Sequence, residues 1–446
     1  MKSSSVMGHL FRIPAAGPHR EAIHVPWYQI EAITRQSQVV SLSTPGGSDP
    51  KLKASVSAII AVASPLQKMN HHPHEGDSLP MRRFLSLRDF DWTLLVFVLL
   101  LSVISVLEIY SATLHTKFHG FQRMQILWIA GGLVAMFIMS VIDYHKLIAG
   151  IYWIYGFCLV SLIAVLAVGT RVNGGKRWIK LPGGAHFQPS EWVKLVLIVL
   201  VARYFTSLGT REPTWKDIFK AIGFVAVPML LVLKQPDMGT ALTYTPVLLI
   251  GLFLGNIDWR KGGTLLLVIL LAVGVVWKSG KILKPYQKAR LTSFMNPDAD
   301  PRGTGYQILQ SKIAVGDGGV FGRGANQGTQ TQGDFLPIPY TDFIFAAFSE
   351  EHGFVGAILV LLIYFLILMR LIQNAQTAAD LPGSFLVMGV AAVLIFQIAV
   401  NVGMVLGLMP VTGIPLPLMS YGGSSVLFTF LALGMVMNVR MSRFVN

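Results

Sequence analysis

The chain is poor in cysteine and poor in charge, and each shortage excludes something. Of 446 residues only one, Cys158, is a cysteine, so an internal disulfide and a cysteine-based metal site are both excluded. Charged residues make up 13% of the sequence, about half the share of an ordinary soluble protein. Acidic residues are the scarcer sign, 22 against 36 basic ones, which leaves a formal charge of +14. Aromatic residues are not interleaved with the basic runs as in a nucleic-acid binder, so no nucleic acid is expected as a partner. The positive excess instead suits anionic lipid or an anionic lipid-linked substrate. No GK[ST] follows the glycine-rich run GDGGVFGRG (Gly316–Gly324) and no strand precedes it, so a nucleotide-binding loop is not expected.

What is abundant is apolar sequence, 53% of the chain. Ten apolar segments follow one another: Trp92–Tyr110, Phe121–Ile142, Leu147–Gly169, Glu191–Phe205, Ile218–Leu233, Gly239–Leu254, Gly262–Lys278, Phe343–Arg370, Phe385–Leu408 and Ser424–Val439. The expected fold is therefore an all-α polytopic membrane protein of about ten transmembrane helices, with a long extracytoplasmic loop (about 279–342) between spans seven and eight. Several segments are short and broken by Gly or Pro, which is tolerated only against protein or a water-filled cavity. Lys and Arg near the span ends favour cytoplasmic N- and C-termini. Basic residues remain on the outer side (Arg171, Lys176, Arg177 and Lys180 in one loop; Lys281, Lys284, Lys288, Arg290, Arg302, Lys312 and Arg323 in the long one), and an anionic ligand would explain them.

Residues 1–80 are unlike the rest, with scattered Ser, Pro, Gly and His and no sustained helical period. They read as a disordered tail, or as an extension preceding a natural start at Met81, where MRRFLSLRDFDW has the form of a basic N-terminus before a first span. Met81–Asn446 is then expected to be a complete functional unit.

Gly303–Ala346 is the candidate active segment, since a polar loop of this length in a compact protein is functional or disordered. Tyr306–Gly316 reads as a short surface helix displaying Gln307, Gln310 and Lys312, and GDGGVFGRG as a flexible, donor-rich loop. Asp342 stands where a long apolar helix begins. Thr341 and Asp342 could simply cap that helix, or partial burial could raise the carboxylate into the range of a general base. Glu350 and Glu351 lie further along the same helix, either paired inside the bundle or catalytic.

Three further groups carry polar chemistry. In Gln188–Lys194 (QPSEWVK), Ser190 is a plausible N-cap, and Glu191 and Lys194 share a helix face three residues apart. A helix-end ion pair is one reading; a charge placed inside an apolar run for function is the other. Lys234–Thr240 (KQPDMGT) is a tight break in which Asp237 reads as a turn or cap, on the same outer side. Asn401–Met404 with Gly407–Ser425 (GLMPVTGIPLPLMSYGGSS) looks like a re-entrant or surface hairpin lining a cavity, where Ser420 and Tyr421 supply hydroxyls.

Taken together, RWIKL–FQPSEWVK, QPDMGTA, RLTSFMNPDADPRGTGYQILQSKIAVGDGGVFGRG, GTQTQGDFLPIPYTDFIFA and NVGMVLGLMPVTGIPLPLMSYGGSS resemble the SEDS family (shape, elongation, division and sporulation) across Met81–Asn446. GTQ followed by FLP is similar to the RodA-like elongation branch more than to the division branch. FLPIPYTDF departs from the family's FLPExHTDF-like run, keeping the Asp without the flanking charges. The resemblance implies an inverting peptidoglycan glycosyltransferase that polymerises lipid II at the outer face of the bacterial cytoplasmic (inner) membrane. Its implied partners are a class B penicillin-binding protein and the elongation machinery. Asp342 would be the base. Lys312, Arg290 and Arg177 would stabilise the departing pyrophosphate. Glu191, Lys194, Gln235, Asp237 and Ser420 would shape the substrate site, and a divalent cation, Mg2+ or Mn2+, could share the charge. The competing classes are a lipid II flippase or other transporter, whose polar path must reach both membrane faces, and a non-catalytic scaffold for the penicillin-binding protein.

Overall fold

The computed structural model describes residues 89–443, apart from 117, 173–174, 181–185, 210, 280–284 and 302, together with 12–13 and 23–24. The chain forms two compact units, Met1–Arg82 and Arg83–Asn446. In the first, β1 (Arg12–Ile13) pairs antiparallel with β2 (Ile23–His24), Arg12 opposite His24. The expectations for the remainder of residues 1–80, and for Lys281, Lys284 and Arg302, lie outside the described residues.

The second unit is helical: α1 (Trp92–Thr113), α2 (Phe121–Val141), α3 (Tyr144–Val168), α4 (Pro189–Ser207), α5 (Trp215–Lys234), α6 (Met238–Leu242), α7 (Thr245–Leu254) and α8 (Trp259–Ser279). It continues with α9 (Pro285–Met295), α10 (Thr304–Asp317), α11 (Thr329–Gln332), α12 (Ile344–Gln376), α13 (Leu381–Val405) and α14 (Gly423–Ser442). Every apolar segment of the sequence falls on a helix, the sixth being split between α6 and α7. Among the described residues, α1, α2, α3, α12, α13 and α14 are long and apolar enough to cross a membrane. The protein is a multi-pass membrane protein whose apolar segments are helical. Between α3 and α4, β3 (Thr170–Val172), β4 (Gly175–Lys180) and β5 (His186–Phe187) form a small antiparallel sheet in the order β3–β4–β5.

Aspartates start many of these helices. Asp91 Oδ1 accepts from the amide of Leu94 (3.2 Å), Asp143 from His145 (3.0 Å) and Asp380 from Gly383 (2.8 Å). Each satisfies an amide the first helical turn leaves without a partner. Small residues let helices approach: a side chain at Gly434 would meet the Met136 carbonyl oxygen at 2.5 Å, which explains how α14 packs directly on α2. At the end of the bundle where α1 begins and α12 and α14 finish, the buried Asp91 carboxylate accepts from Arg370 Nε (2.9 Å), Asn374 Nδ2 (2.9 Å) and Arg440 (3.2 Å). A buried charge needs such compensation.

Two local expectations change. α12 is broken at Gly353 (φ 64°, ψ −165°), so Glu350 and Glu351 end a first helical piece instead of lying within a continuous span. The run GDGGVFGRG is stitched into that break rather than flexible. The amides of Arg323 and Gly324 donate to the carbonyls of Glu350 and Glu351 (both 3.0 Å), and Phe354 and Val355 donate back to Gly319 (2.9 Å) and Val320 (3.1 Å). Glycines on both sides serve close approach: a side chain at Gly322 of the run or at Gly353 of the break would collide with the opposing backbone.

Candidate active site

The connections α3–α4, α5–α6, α8–α12 and α13–α14 lie on the same side of the bundle, because each follows an odd-numbered apolar segment. They enclose a cavity of about 360 Å³ into which Arg177, Glu191, Asp237, Arg290, Gln307 and Asp342 face, floored by 411–415 and 421–425 of the α13–α14 connection. Five candidates from distant parts of the sequence thus share one cavity. Four do not line it. Lys312 is exposed on α10 with its stem over Gly407. Gln235 is buried and donates to the Leu162 carbonyl (2.9 Å). Lys194 is fully buried beneath Glu191, and Ser420 is buried behind Thr341.

Asp342 does not cap the helix after it. Phe343 occupies the N-cap position of α12 with no side-chain cap, and no side chain among the described residues donates to the Asp342 carboxylate. What holds the residue is its backbone. Asn401 Nδ2 donates to the carbonyls of Asp342 (2.9 Å) and Ile414 (2.8 Å). Ser420 Oγ donates to the Thr341 carbonyl (2.7 Å), and the Tyr421 amide donates to the Tyr340 carbonyl (2.9 Å). Three consecutive peptides are therefore fixed by the α13–α14 connection while the carboxylate stays unbonded in the cavity. Ile338, just upstream, takes φ 48°, a conformation seldom adopted by a β-branched residue and often found at functional sites. Removal from water raises the Asp342 pKa to about 6, with the Arg290 and Arg177 charges opposing the rise and Asp237 adding to it.

The two arginines bring charge that the protein only partly neutralises. Arg290 NH1 donates to the Thr412 carbonyl (2.9 Å). Its pKa lies below the usual guanidinium value because it is buried and because Arg177 is near, with Asp342 partly compensating. Arg177 donates to the Pro236 carbonyl and lies 3.8 Å from Asp237 Oδ1. Two guanidinium groups lining one cavity favour an anion there.

The other candidates are scaffold around this centre. Asp237 caps α6 through the Thr240 amide (3.2 Å) and hydroxyl (3.0 Å) and accepts from Gln188 Nε2 (2.8 Å), while still facing the cavity. Glu191 and Lys194 form a buried pair (2.7 Å), and the ammonium sits 4.1 Å from the centre of the Phe428 ring. Ser190 is not the cap of α4: Gln188 holds that position, Pro189 follows, and the buried Ser190 Oγ has no partner among the described residues. Glu350 accepts from the amides of Gln330 (2.6 Å) and Thr331 (3.0 Å) at the start of α11, a structural pairing.

Sequence reasoning missed an aromatic wall. Tyr340 packs against Phe118 and Phe121, and Phe121 stacks on Tyr421 at 4.5 Å between ring centres. No local signal in the α1–α2 turn announces that partnership. A second cavity of about 320 Å³ adjoins the first across Ile338 and Tyr340.

A bundle of membrane helices enclosing a carboxylate and two arginines at one end defines a multi-pass membrane protein with a cavity suited to an anionic ligand. Residues 89–444 match the family model for the cell cycle proteins FtsW, RodA and SpoVE, and the chain belongs to that family. It is 38% identical over 353 residues to the peptidoglycan glycosyltransferase MrdB of Escherichia coli K12, covering 79% of this chain and 94% of the relative. It is 34% identical to the peptidoglycan glycosyltransferase RodA of Treponema pallidum (80% and 99% covered) and 37% identical to stage V sporulation protein E of Bacillus subtilis (79% and 98%). Among solved structures, a chain of a peptidoglycan synthase complex that coordinates polymerization and crosslinking superposes with a TM-score of 0.68 at 32% identity, over 80% of this chain and 98% of that one. The rod shape determining protein RodA of Thermus thermophilus gives 0.60 at 29%, over the same shares.

Proposed function

We propose that this protein is a peptidoglycan glycosyltransferase that polymerises lipid II into glycan strands for cell elongation, with Asp342 as general base. The observation carrying this reading is one cavity that pairs an unbonded carboxylate, with its pKa raised to about 6, and two incompletely neutralised arginines. Relatives named as peptidoglycan glycosyltransferases over nearly their full length support it.

The chemistry asks for these groups. The 4-hydroxyl of the acceptor sugar gives its proton to an Asp342 carboxylate oxygen as the hydroxyl oxygen bonds to the donor's anomeric carbon. The bond from that carbon to the undecaprenyl pyrophosphate breaks on the opposite face, so an α-linked donor gives a β-1,4 product. Negative charge grows on the departing pyrophosphate, where Arg290 and Arg177 stabilise it; one such donor is worth about 3 kcal/mol. A carboxylate with pKa near 6 is largely ionised at neutral pH yet more basic than an ordinary aspartate.

Glu191, Asp237 and Asp342 do not converge as a metal-ligand cluster. Among the described residues that description fits only Glu108, Glu351 and His352, elsewhere in the molecule. A Mg2+ or Mn2+ ion therefore enters this proposal only as one carried in on the pyrophosphate, which such ions bind readily. The arginine-bearing end of α1, α12 and α14 is placed on the cytoplasmic side, giving cytoplasmic termini and a cavity facing outward. A class B penicillin-binding protein is the proposed crosslinking partner, in keeping with the complex whose chain this one resembles. The test is purified protein, alone and with that partner, incubated with lipid II and read by gel. Glycan strands are expected; lipid II moved across vesicles without polymer would instead establish the flippase reading.

A further inference from the structure

Away from the cavity, a second set of ionisable groups lies at the break in α12. Glu108 of α1 is 2% exposed, and its buried Oε1 has no hydrogen-bond partner among the described residues. Glu351, also buried, accepts from the Ser111 hydroxyl, and His352 Nδ1 stands 3.9 Å from Glu108 Oε2. One donor atom from each of Glu108, Glu351 and His352 falls within 4.8 Å of the others. Buried carboxylates without a pairing cation or full hydrogen bonding are costly, so such groups are ordinarily paired or coordinate a metal. Here His352 is the neighbouring group able to carry positive charge, and its side chain is 42% exposed, stacked on Phe348 at 4.3 Å.

We propose that Glu108, Glu351 and His352 bind a divalent transition-metal cation, Mn2+ or Zn2+, that fastens α1 to the break in α12. The donor set fits: one imidazole and two carboxylates suit these ions better than Mg2+, which takes oxygen ligands. The size fits too. A point equidistant from three atoms at the 4.8 Å limit lies about 2.8 Å from each, and small side-chain rotations reach ligand distances of about 2.0–2.2 Å. The surroundings are already fixed. Gln332 Nε2 donates to the Ser111 carbonyl (3.1 Å), Glu350 is occupied by the amides of α11, and the Gly316–Gly324 run braces the turn holding Glu351 and His352. The exposed side of His352 gives the ion a way in. Glu351 lies nine residues beyond Asp342, about 13 Å at 1.5 Å per helical residue, so this ion acts on architecture and not on the reacting atoms.

The test uses the full-length protein in detergent, stripped with chelator and titrated with Mn2+ and with Zn2+ in excess Mg2+, by calorimetry and by thermal unfolding. One equivalent is expected to bind and to raise Tm with ion concentration. Glu108→Gln and His352→Ala should each weaken that binding by at least about tenfold and abolish the ion-dependent rise, while Asp342→Asn retains both. Absence of binding to the native protein, or binding that both variants leave unchanged, overturns the site. If Glu108→Gln does not fold, His352→Ala, at an exposed position, decides alone.

Discussion

The Glu191–Lys194 pair offers a quantitative test of the cavity floor. Lys194 is wholly inside the bundle, its ammonium 2.7 Å from Glu191 and 4.1 Å from the Phe428 ring centre, so truncating either partner strands the other. Removing one member of a buried pair costs about 3–5 kcal/mol. For Lys194→Met the lower end is expected, because Glu191 also lies in the first turn of α4, where the helix dipole favours a carboxylate by about 0.3–1 kcal/mol. Glu191→Gln should cost a similar amount by leaving an ammonium with only an aromatic face. The double variant Glu191→Gln/Lys194→Met removes both charges, keeps both volumes, and should recover to within about 1–2 kcal/mol of the native protein. The assay is thermal unfolding of all four proteins in one detergent, followed by loss of the monodisperse peak. The coupling between the two sites should then exceed either single loss, about 4–5 kcal/mol if each single variant loses about 3 kcal/mol. Additive losses would refute the reasoning, showing two independent residues and not one neutralised pair.

Further outcomes follow from the Asp342 cavity. Polymerisation should rise with pH through an apparent pKa near 6 and fall below it, because the base must be ionised; Arg290→Gln, by removing an opposing charge, should move that limb to higher pH. Arg290→Gln and Arg177→Gln should each slow turnover by roughly 100-fold, about 3 kcal/mol, whereas Lys312→Gln, outside the cavity lining, should cost less at both saturating and limiting lipid II. A carboxylate whose folded pKa exceeds its unfolded value destabilises the protein above the unfolded pKa. Asp342→Asn should therefore raise Tm at pH 7.5 by the equivalent of about 1–3 kcal/mol, a gain that disappears below about pH 4. Asn401→Leu, which releases the Asp342 carbonyl, should lower kcat more than it changes KM for lipid II.

Much of this architecture was legible because membrane helices announce themselves in composition. All ten apolar segments fell on helices, and the sixth, Gly239–Leu254, is interrupted between α6 and α7. The polar constellations were legible because charge in an apolar chain is rare enough to be conspicuous, and the alternation of connections placed Arg177, Asp237, Arg290 and Asp342 on one side. What stayed hidden depends on packing between distant segments. GDGGVFGRG reads as a free loop because nothing local shows that its amides will meet Glu350 and Glu351 across the break at Gly353. Ser190 reads as a cap, but Pro189 shifts the start of α4 by two residues. Lys312 belongs to the right loop, yet the facing of α10 turns it away from the cavity. Ser420 and Asn401 reach Asp342 only through backbone carbonyls, which side-chain chemistry in a sequence does not reveal.

The central claim is that Asp342 takes the proton from the attacking hydroxyl. Asn keeps the size of the residue, and the backbone bonds to Asn401 and Ser420 hold position 342 regardless of its side chain, so Asp342→Asn should insert and fold. The decisive measurement is glycan-strand formation from lipid II by this variant, alone and with the transpeptidase partner, beside the native protein at pH 7.5. The account predicts an inserted, stable variant that makes no detectable polymer. Polymer at near-native rate from a well-folded Asp342→Asn protein would contradict it.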